Sequence, residues 1–251
     1  MRKKNLILKR LGPALAAGMI LIGCEPKLTV VPAEVDTEIA RAQSINDELV
    51  SLNPPETMTY HYRNLMSQAE AARAKGDFPK AIDLARQAAD QAAKSLQVWK
   101  DQIAQARQKL AQAKDQLENL YPVNYPLIKR YWADEALFRQ KAYQGLASEA
   151  DQLLKQIEQA RNMSIISDRT IMVNAPQEYI KQWGDVRVYA EITPEGKFKN
   201  PIDTVPNGVR VKFVRALLFS PEQVFYFVEV PTSGKQGWIS EKYLNVGAVN
   251  Y

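Results

Sequence analysis

The longest regular pattern in the chain runs from Pro79 to Leu120 and reads PKAIDLARQAADQAAKSLQVWKDQIAQARQKLAQAKDQLENL. Its apolar residues recur in alternating steps of three and four: Ile82, Ala85, Ala89, Ala92, Leu96, Trp99, Ile103, Ala106, Leu110, Ala113, Leu117 and Leu120. This heptad spacing keeps one narrow stripe of a helix against a partner helix. One column of the stripe is mostly large and the other mostly alanine. We therefore expect a tight antiparallel hairpin, whose first helix is roughly 60 Å long.

The apolar spacing along residues 33–162 predicts four helices in all. Their expected bounds are Ala33–Leu52, Glu56 to a stop at Gly76-Asp77, Pro79–Leu120, and Pro126 to about Ala160, with Val123–Tyr125 as the hairpin loop. The first two helices are about half as long as the other two. They should cover one end of the hairpin and leave the distal end two-stranded.

The turn before the third helix has a distinctive composition. Gly76-Asp77-Phe78 is followed by Ala81-Ile82, Ala85 and Ala88. The segment resembles the turn and second helix of a tetratricopeptide repeat, and more closely the Gly-Asp-aromatic turn of alanine-rich envelope lipoproteins. A repeat array needs about three units, and no second copy is present, so we do not expect a superhelical peptide groove.

Four aromatic residues lie in the first half of the fourth predicted helix, near the hairpin tip: Tyr131, Trp132, Phe138 and Tyr143. One interpretation is that they pack against the alanine column of the third helix. The alternative is that they form a tip that binds a partner.

The first 23 residues have the layout of an export signal, with a basic start, a short apolar run and a small residue at its end. The run is shorter than the 20 or so residues that span a bilayer. It ends in Leu21-Ile22-Gly23-Cys24, which resembles the lipobox of bacterial lipoproteins. The resemblance implies cleavage before Cys24 and its acylation, with palmitate as the expected chain type. Two or more acyl chains anchor a protein stably. The alternative is an ordinary signal with a chance cysteine.

The residue after Cys24 bears on location. In enterobacterial lipoproteins an aspartate there favours inner-membrane retention, and this chain has Glu25 instead. The resemblance therefore implies an outer-membrane lipoprotein facing the periplasm in a Gram-negative host, or a cell-membrane lipoprotein otherwise. Residues 24–32 are expected to be a tether.

The charge balance changes once the signal is set aside. The whole chain has 33 Lys and Arg against 28 Asp and Glu, a formal net charge of +5. Residues 1–23 hold five basic and no acidic residues, which leaves 28 of each sign. The remaining chain is neutral, and this argues against a nucleic-acid partner. A single cysteine also excludes an intramolecular disulfide.

After a joint at 163–183, with a possible strand at Thr170–Val173 and a short helix at Ala175–Trp183, the period changes from 3.6 to 2. Alternating residues and turns then predict a small barrel over 184–251. Three segments resemble the bacterial SH3 family: Asp185–Tyr189, Ile202–Val211 and Gly237–Leu244. The family's Arg-Ser-Gly-Pro after the first strand is replaced by Tyr189-Ala190-Glu191, and the insert Ile192–Pro201 is longer and more charged than usual.

This resemblance implies a non-enzymatic role. Such domains occur on envelope proteins, where they bind peptidoglycan stem peptides or act as spacers. Tyr189, Trp238 and Tyr243 are the candidate ligand-binding residues. The alternative for Trp238 and Tyr243 is core and edge packing.

The sequence nominates no catalytic chemistry. His61 is the one histidine and Cys24 the one cysteine, too few for a His-based metal set. No glycine-rich phosphate loop or Gly-x-Ser-x-Gly motif occurs. Acid pairs such as Asp134-Glu135 lie among basic residues and are expected to be solvated. We expect no catalytic residue, metal site, cofactor or small-molecule substrate.

Taken together, the patterns predict an α+β multidomain chain, with an elongated helical bundle or coiled-coil hairpin followed by a small SH3-like β-barrel. The expected function is a lipid-anchored, non-enzymatic envelope protein that binds peptidoglycan or an envelope protein through the barrel. The alternative is an accessory scaffold of a secretion or efflux assembly that docks through the hairpin. An enzyme is the third possibility.

Overall fold

The computed structural model describes residues 32–163 and 168–246. The predicted signal, Cys24 and all but the last residue of the tether lie outside the described residues. The chain is α+β, with a helical region followed by an antiparallel sheet. The helices are α1 Pro32–Ser51, α2 Glu56–Ala74, α3 Phe78–Glu118, α4 Tyr125–Arg139, α5 Leu146–Met163 and α6 Gln177–Trp183. The strands are β1 Thr170–Val173, β2 Val186–Ile192, β3 Phe198–Val205, β4 Arg210–Ser220, β5 Gln223–Glu229, β6 Gln236–Ser240 and β7 Leu244–Asn245, with a 3-10 helix at Glu241–Tyr243.

Helix α3 is the longest element, at 41 residues, and the other long helices pack along it. Its start follows from the sequence, because the Asp77 side chain accepts a hydrogen bond from the Lys80 backbone N–H at 3.4 Å and Pro79 lies in the first turn. Every residue of the predicted heptad stripe is buried except Ile103, which is half-buried. The stripe prediction is therefore confirmed.

The first half of α3 is covered by α1 and α2, close to their predicted bounds. Helix α1 runs parallel to α3, since Glu38 pairs with Arg86 at 3.0 Å and Glu48 pairs with Lys100 at 2.6 Å. The contact surface is rich in buried alanine: Ala42, Ala69, Ala72, Ala81, Ala85, Ala88, Ala89 and Ala92. Small side chains allow the three backbones to approach closely.

The prediction of one continuous fourth helix is wrong. Helix α4 ends at Arg139, and α5 begins at Leu146 after a reversal in which Lys141 and Gly145 have positive φ angles of 58° and 76°. Glycine adopts that conformation without a steric penalty. The apolar spacing of Phe138, Ala142 and Leu146 continues in phase across the break, so the sequence pattern does not reveal it.

This reversal adds a helix to the distal end of α3. Helix α4 returns antiparallel to α3, with Arg107 3.4 Å from Glu135. Helix α5 then runs in the direction of α3, with Lys109 2.5 Å from Asp151. The distal end is therefore three helices thick, and the expected two-stranded end is wrong.

The sheet contains seven strands in the order β3-β2-β6-β5-β4-β1-β7. The predicted change to period 2 is confirmed, since the residues after 184 form strands such as β2, β4 and β5. Thr170–Val173 is also a strand as predicted, but it pairs with both β4 and β7. The sheet therefore begins inside the segment 163–183, which is more than a linker.

The tip of the helical hairpin is docked on this sheet. The Tyr121 hydroxyl donates to the Thr170 carbonyl oxygen at 2.8 Å, and its ring lies 5.2 Å from that of Phe213. The Leu218 backbone N–H donates to the Glu118 carboxylate at 3.2 Å. One hydrophobic core runs from the distal helices into the sheet. Helices and sheet thus share their interior at this joint.

The aromatic residues near the hairpin tip pack within the chain. Tyr131 is buried, and Trp132 and Phe138 pack against the same core that continues into the sheet. The ring centroid of Tyr143 lies 6.2 Å from that of Trp99, which is at the midpoint of α3. There the Trp99 indole N–H donates to the Leu52 carbonyl oxygen at 3.0 Å, which joins the two groups of helices. The packing interpretation of these aromatics is confirmed.

Candidate ligand groove

A groove with a volume of about 690 Å³ opens on the sheet between α6, the β2–β3 hairpin, the β4–β5 turn and the 3-10 helix. Each wall comes from a different element, so the groove exists only once the sheet is assembled. Gly196 closes the β2–β3 hairpin with a φ of 74°, and an added Cβ there would lie 2.8 Å from the Phe219 ring. Glycine is required at this corner for both reasons.

Aromatic rings form much of the groove wall: Tyr179, Trp183, Tyr189, Phe198, Phe225 and Tyr243. Tyr179 and Tyr243 have ring centroids 4.4 Å apart, and Tyr189 stacks on Phe198 at 4.8 Å. Trp183, at the end of α6, keeps 49% of its surface exposed. These rings hold one another in place and leave an open aromatic surface for an apolar or planar ligand group.

Charged side chains of both signs line the groove. Arg187 lies over the Trp183 ring, with its guanidinium carbon 4.6 Å from the ring centroid. Arg187, Lys197 and Lys242 line the groove, and none of them joins an ion pair within residues 32–163 and 168–246. Glu222 and Glu241 also line it. An anionic group placed between the cations would gain charge-assisted hydrogen bonds.

The predicted ligand-binding residues are not all in the groove. Tyr189 and Tyr243 line it, whereas Trp238 does not. Trp238 is 9% exposed. Its ring centroid lies 4.8 Å from that of Phe227 and 5.5 Å from the guanidinium carbon of Arg215. It therefore matches the alternative of packing that the sequence left open. The lipidation residue, Cys24, lies outside the described residues.

Sequence reasoning missed the contribution of α6. Tyr179 and Trp183 are four residues apart, so they project from one face of that helix. The signal was present as two aromatics at helical spacing directly before the predicted barrel. The signal is not sufficient, because nothing in the sequence of 163–183 indicates that these rings lie beside Tyr243.

The 3-10 helix is held in place by a hydroxyl network. The Tyr125 hydroxyl lies 2.5 Å from Glu241 Oε1 and 2.8 Å from the Tyr226 hydroxyl. Burial raises the pKa of both Tyr125 and Tyr226, so both hydroxyls keep their protons. A carboxylate only accepts, so Tyr125 donates to Glu241 and the Tyr226 hydroxyl donates to Tyr125.

Elsewhere, the acid pair Asp134-Glu135 is buried, and the expectation that it is solvated is wrong. Glu135 Oε1 lies 3.4 Å from Arg107 Nη1 and 3.5 Å from Arg139 Nε. Asp134 is 4% exposed, and its Oδ2 has no hydrogen-bond partner in the described part of the chain. Burial, with a smaller contribution from Glu149, raises the pKa of Asp134. Neither residue lines the groove.

His61 lies exposed on α2, with its ring 5.6 Å from that of Tyr60. Within residues 32–163 and 168–246, no three His, Cys, Asp or Glu side chains are grouped as a metal site would require. In the same residues, no helix combines the length and apolarity needed to cross a bilayer. Comparison with protein-family models, curated proteins and solved structures finds no match to this chain.

Proposed function

We propose that this chain is a lipid-anchored, non-enzymatic envelope protein that binds peptidoglycan or an envelope protein through the groove. The observation that carries the proposal is the groove itself, in which an exposed tryptophan and a pair of packed tyrosines lie beside three cations without ion-pair partners in the described residues. The signal-like start and the lipobox-like segment ending at Cys24 support the anchored, exported location.

We further propose that the sheet is an SH3-like barrel and that the helices form an elongated bundle. In support, β1 pairs with both β4 and β7, so that the first and last strands of the sheet lie side by side. A 3-10 helix separates the last two strands. The three segments that resemble bacterial SH3 domains lie on β2, on β3 and β4, and on β6 with the 3-10 helix.

The groove chemistry favours a short extended peptide with a free carboxylate. Aromatic grooves take extended segments whose apolar groups lie on the rings. Arginine and lysine bind carboxylates through charge-assisted hydrogen bonds. Peptidoglycan stem peptides have both features. An envelope protein would have to offer the same combination on an exposed segment.

The helical region fits the role of a spacer. Helix α1 enters at Pro32 beside the start of α3, because α1 and α3 are parallel. The sheet docks at the other end of α3, next to Glu118 and Tyr121. The chain therefore enters the helical region about one α3 length, roughly 60 Å, from the sheet.

Sedimentation with purified sacculi tests the ligand-binding part. The chain from residue 24 with Cys24→Ser should sediment with sacculi, and the double variant Trp183→Ala/Tyr243→Ala should bind about tenfold more weakly or worse. Tyr60→Ala removes an exposed ring on α2, far from the groove, and serves as the matched control. Equal binding of the double variant and the parent would exclude the groove.

Membrane fractionation tests the anchor separately. The full chain should be found in membranes and be released by Cys24→Ser. Continued membrane retention of that variant would contradict lipidation. The alternative function, a secretion or efflux scaffold that docks through the hairpin, would need a surface other than the tip, because the tip contacts the sheet.

A further inference from the structure

The 3-10 helix Glu241–Tyr243 is in contact with two parts of the molecule. Tyr243 packs against Tyr179 of α6, with ring centroids 4.4 Å apart. Glu241 accepts a hydrogen bond from the Tyr125 hydroxyl at 2.5 Å. Tyr125 is the first residue of α4, at the hairpin tip. The wall of the groove is thus tied to the helical region.

Tyr125 is itself firmly placed. The preceding residue, Asn124, caps α4 by accepting a hydrogen bond from the Leu127 backbone N–H at 3.1 Å. The Tyr125 ring packs against the core shared by the distal helices and the sheet, and its hydroxyl is 2.8 Å from that of Tyr226. The donor to Glu241 is therefore fixed from two sides.

Glu241 also lines the groove with Arg187 and Lys242. Among the described residues, Tyr125 is the side chain that donates to the Glu241 carboxylate. If that hydroxyl were absent, a half-buried carboxylate would lose its donor and would turn toward the nearest cations. It would then compete with an anionic ligand for those cations.

We propose that Tyr125 is a positioning residue for the groove: it holds the Glu241 carboxylate away from the groove cations and fixes the 3-10 helix as a wall. The hairpin tip is then part of the binding site, although it does not touch the ligand. The effect on ligand affinity rests on the proposed function, whereas the effect on the 3-10 helix does not.

The test compares Tyr125→Phe with Tyr121→Phe in the chain from residue 24 carrying Cys24→Ser. Both variants remove one tyrosine hydroxyl that links the tip to the sheet, but Tyr121 donates to Thr170 on β1. Amide hydrogen exchange at Lys242–Leu244 should become roughly tenfold faster in Tyr125→Phe. It should stay within about twofold of the parent in Tyr121→Phe. Equal exchange in the two variants would overturn the proposal.

A second variant keeps the test decisive if Tyr125→Phe does not fold. Glu241→Gln retains the side-chain shape and weakens the same hydrogen bond, so it should give the same local acceleration; unchanged exchange would overturn the proposal.

Binding to sacculi adds a charge-specific readout. Tyr125→Phe should weaken it several-fold, and Tyr125→Phe/Glu241→Gln should recover part of the loss, because the side chain at position 241 is then an uncharged amide. No recovery would contradict the electrostatic role. A parent chain that does not bind sacculi would end the proposed function, and the exchange comparison would still decide the role of Tyr125.

Discussion

The two ends of α3 are stabilised by different kinds of contact. At the end where the chain enters, α1 and α2 pack through buried alanines, and ion pairs such as Arg86–Glu38 lie at the surface. At the sheet end, the contacts are aromatic rings and buried hydroxyls, with Tyr121 on Phe213 and Tyr125 between Tyr226 and Glu241. The heptad stripe of α3 is packed against other elements at both ends.

The difference separates two structural roles. Alanine contacts allow helix backbones to pack closely along the whole of their shared length, and this suits a spacer. Such contacts have little directional preference. Hydrogen bonds and ring contacts are directional, so they fix how the sheet sits on the helices. Exposed ion pairs contribute at most about 1 kcal/mol each, so the entry end depends on packing.

The largest expected effect is at the sheet end. Phe213→Ala removes a buried ring that contacts both Tyr121 and Tyr226, and it should lower the free energy of unfolding by about 3–5 kcal/mol. Urea denaturation measures the loss, and hydrogen exchange should locate it in the sheet and hairpin tip. Trp183→Ala, at the same end but half-exposed, should cost less than about 1 kcal/mol. Equal loss of protection in α1 would contradict the separation of roles.

A smaller effect is expected at the entry end. Ala92→Trp places a large ring where the side chain is fully buried among α1, α2 and α3, and overpacking should cost about 1–3 kcal/mol. Ala93→Trp, on the adjacent exposed position, is the matched control and should be nearly neutral. A thermal unfolding midpoint unchanged by Ala92→Trp would mean that the close alanine contact is absent.

The smallest expected effect is an increase in the free energy of unfolding. Asp134→Ala removes a buried carboxylate with a partnerless oxygen in the described chain, and should stabilise the protein by about 1 kcal/mol at pH 7. Because burial raises the pKa of Asp134, its ionisation disfavours the folded state as pH rises above about 4. The gain should therefore shrink toward pH 3. Asp83→Ala, exposed on α3 at the entry end, should show no such pH-dependent gain; a gain independent of pH in Asp134→Ala would contradict this explanation.

The local elements could be predicted from the sequence. The heptad stripe identified α3 to within a few residues, and Asp77 with Pro79 marked its start. The change to period 2 identified the strands, and Gly208 and Gly234 marked turns between them. These signals are local because they depend on residues within one or two turns of each other.

The pairing of distant elements could not be predicted. No sequence signal near Tyr125 indicates that its hydroxyl donates a hydrogen bond to Glu241, 116 residues later in the chain. The break between α4 and α5 was hidden because the apolar spacing continues through it. In the groove, Tyr189 and Tyr243 were found from the SH3 resemblance, but Trp183 was not, because its place depends on how α6 folds back onto the sheet.

A spacer role for the helices requires the groove to be held at the far end of α3 from the chain entry. A spin-label distance between cysteines placed at Ala74, beside the start of α3, and at Lys199, on β3, tests this in the Cys24→Ser chain; both positions are exposed. The account predicts a single narrow distribution centred at or somewhat beyond roughly 60 Å, the length of α3. A broad distribution, or a maximum below about 40 Å, would contradict it.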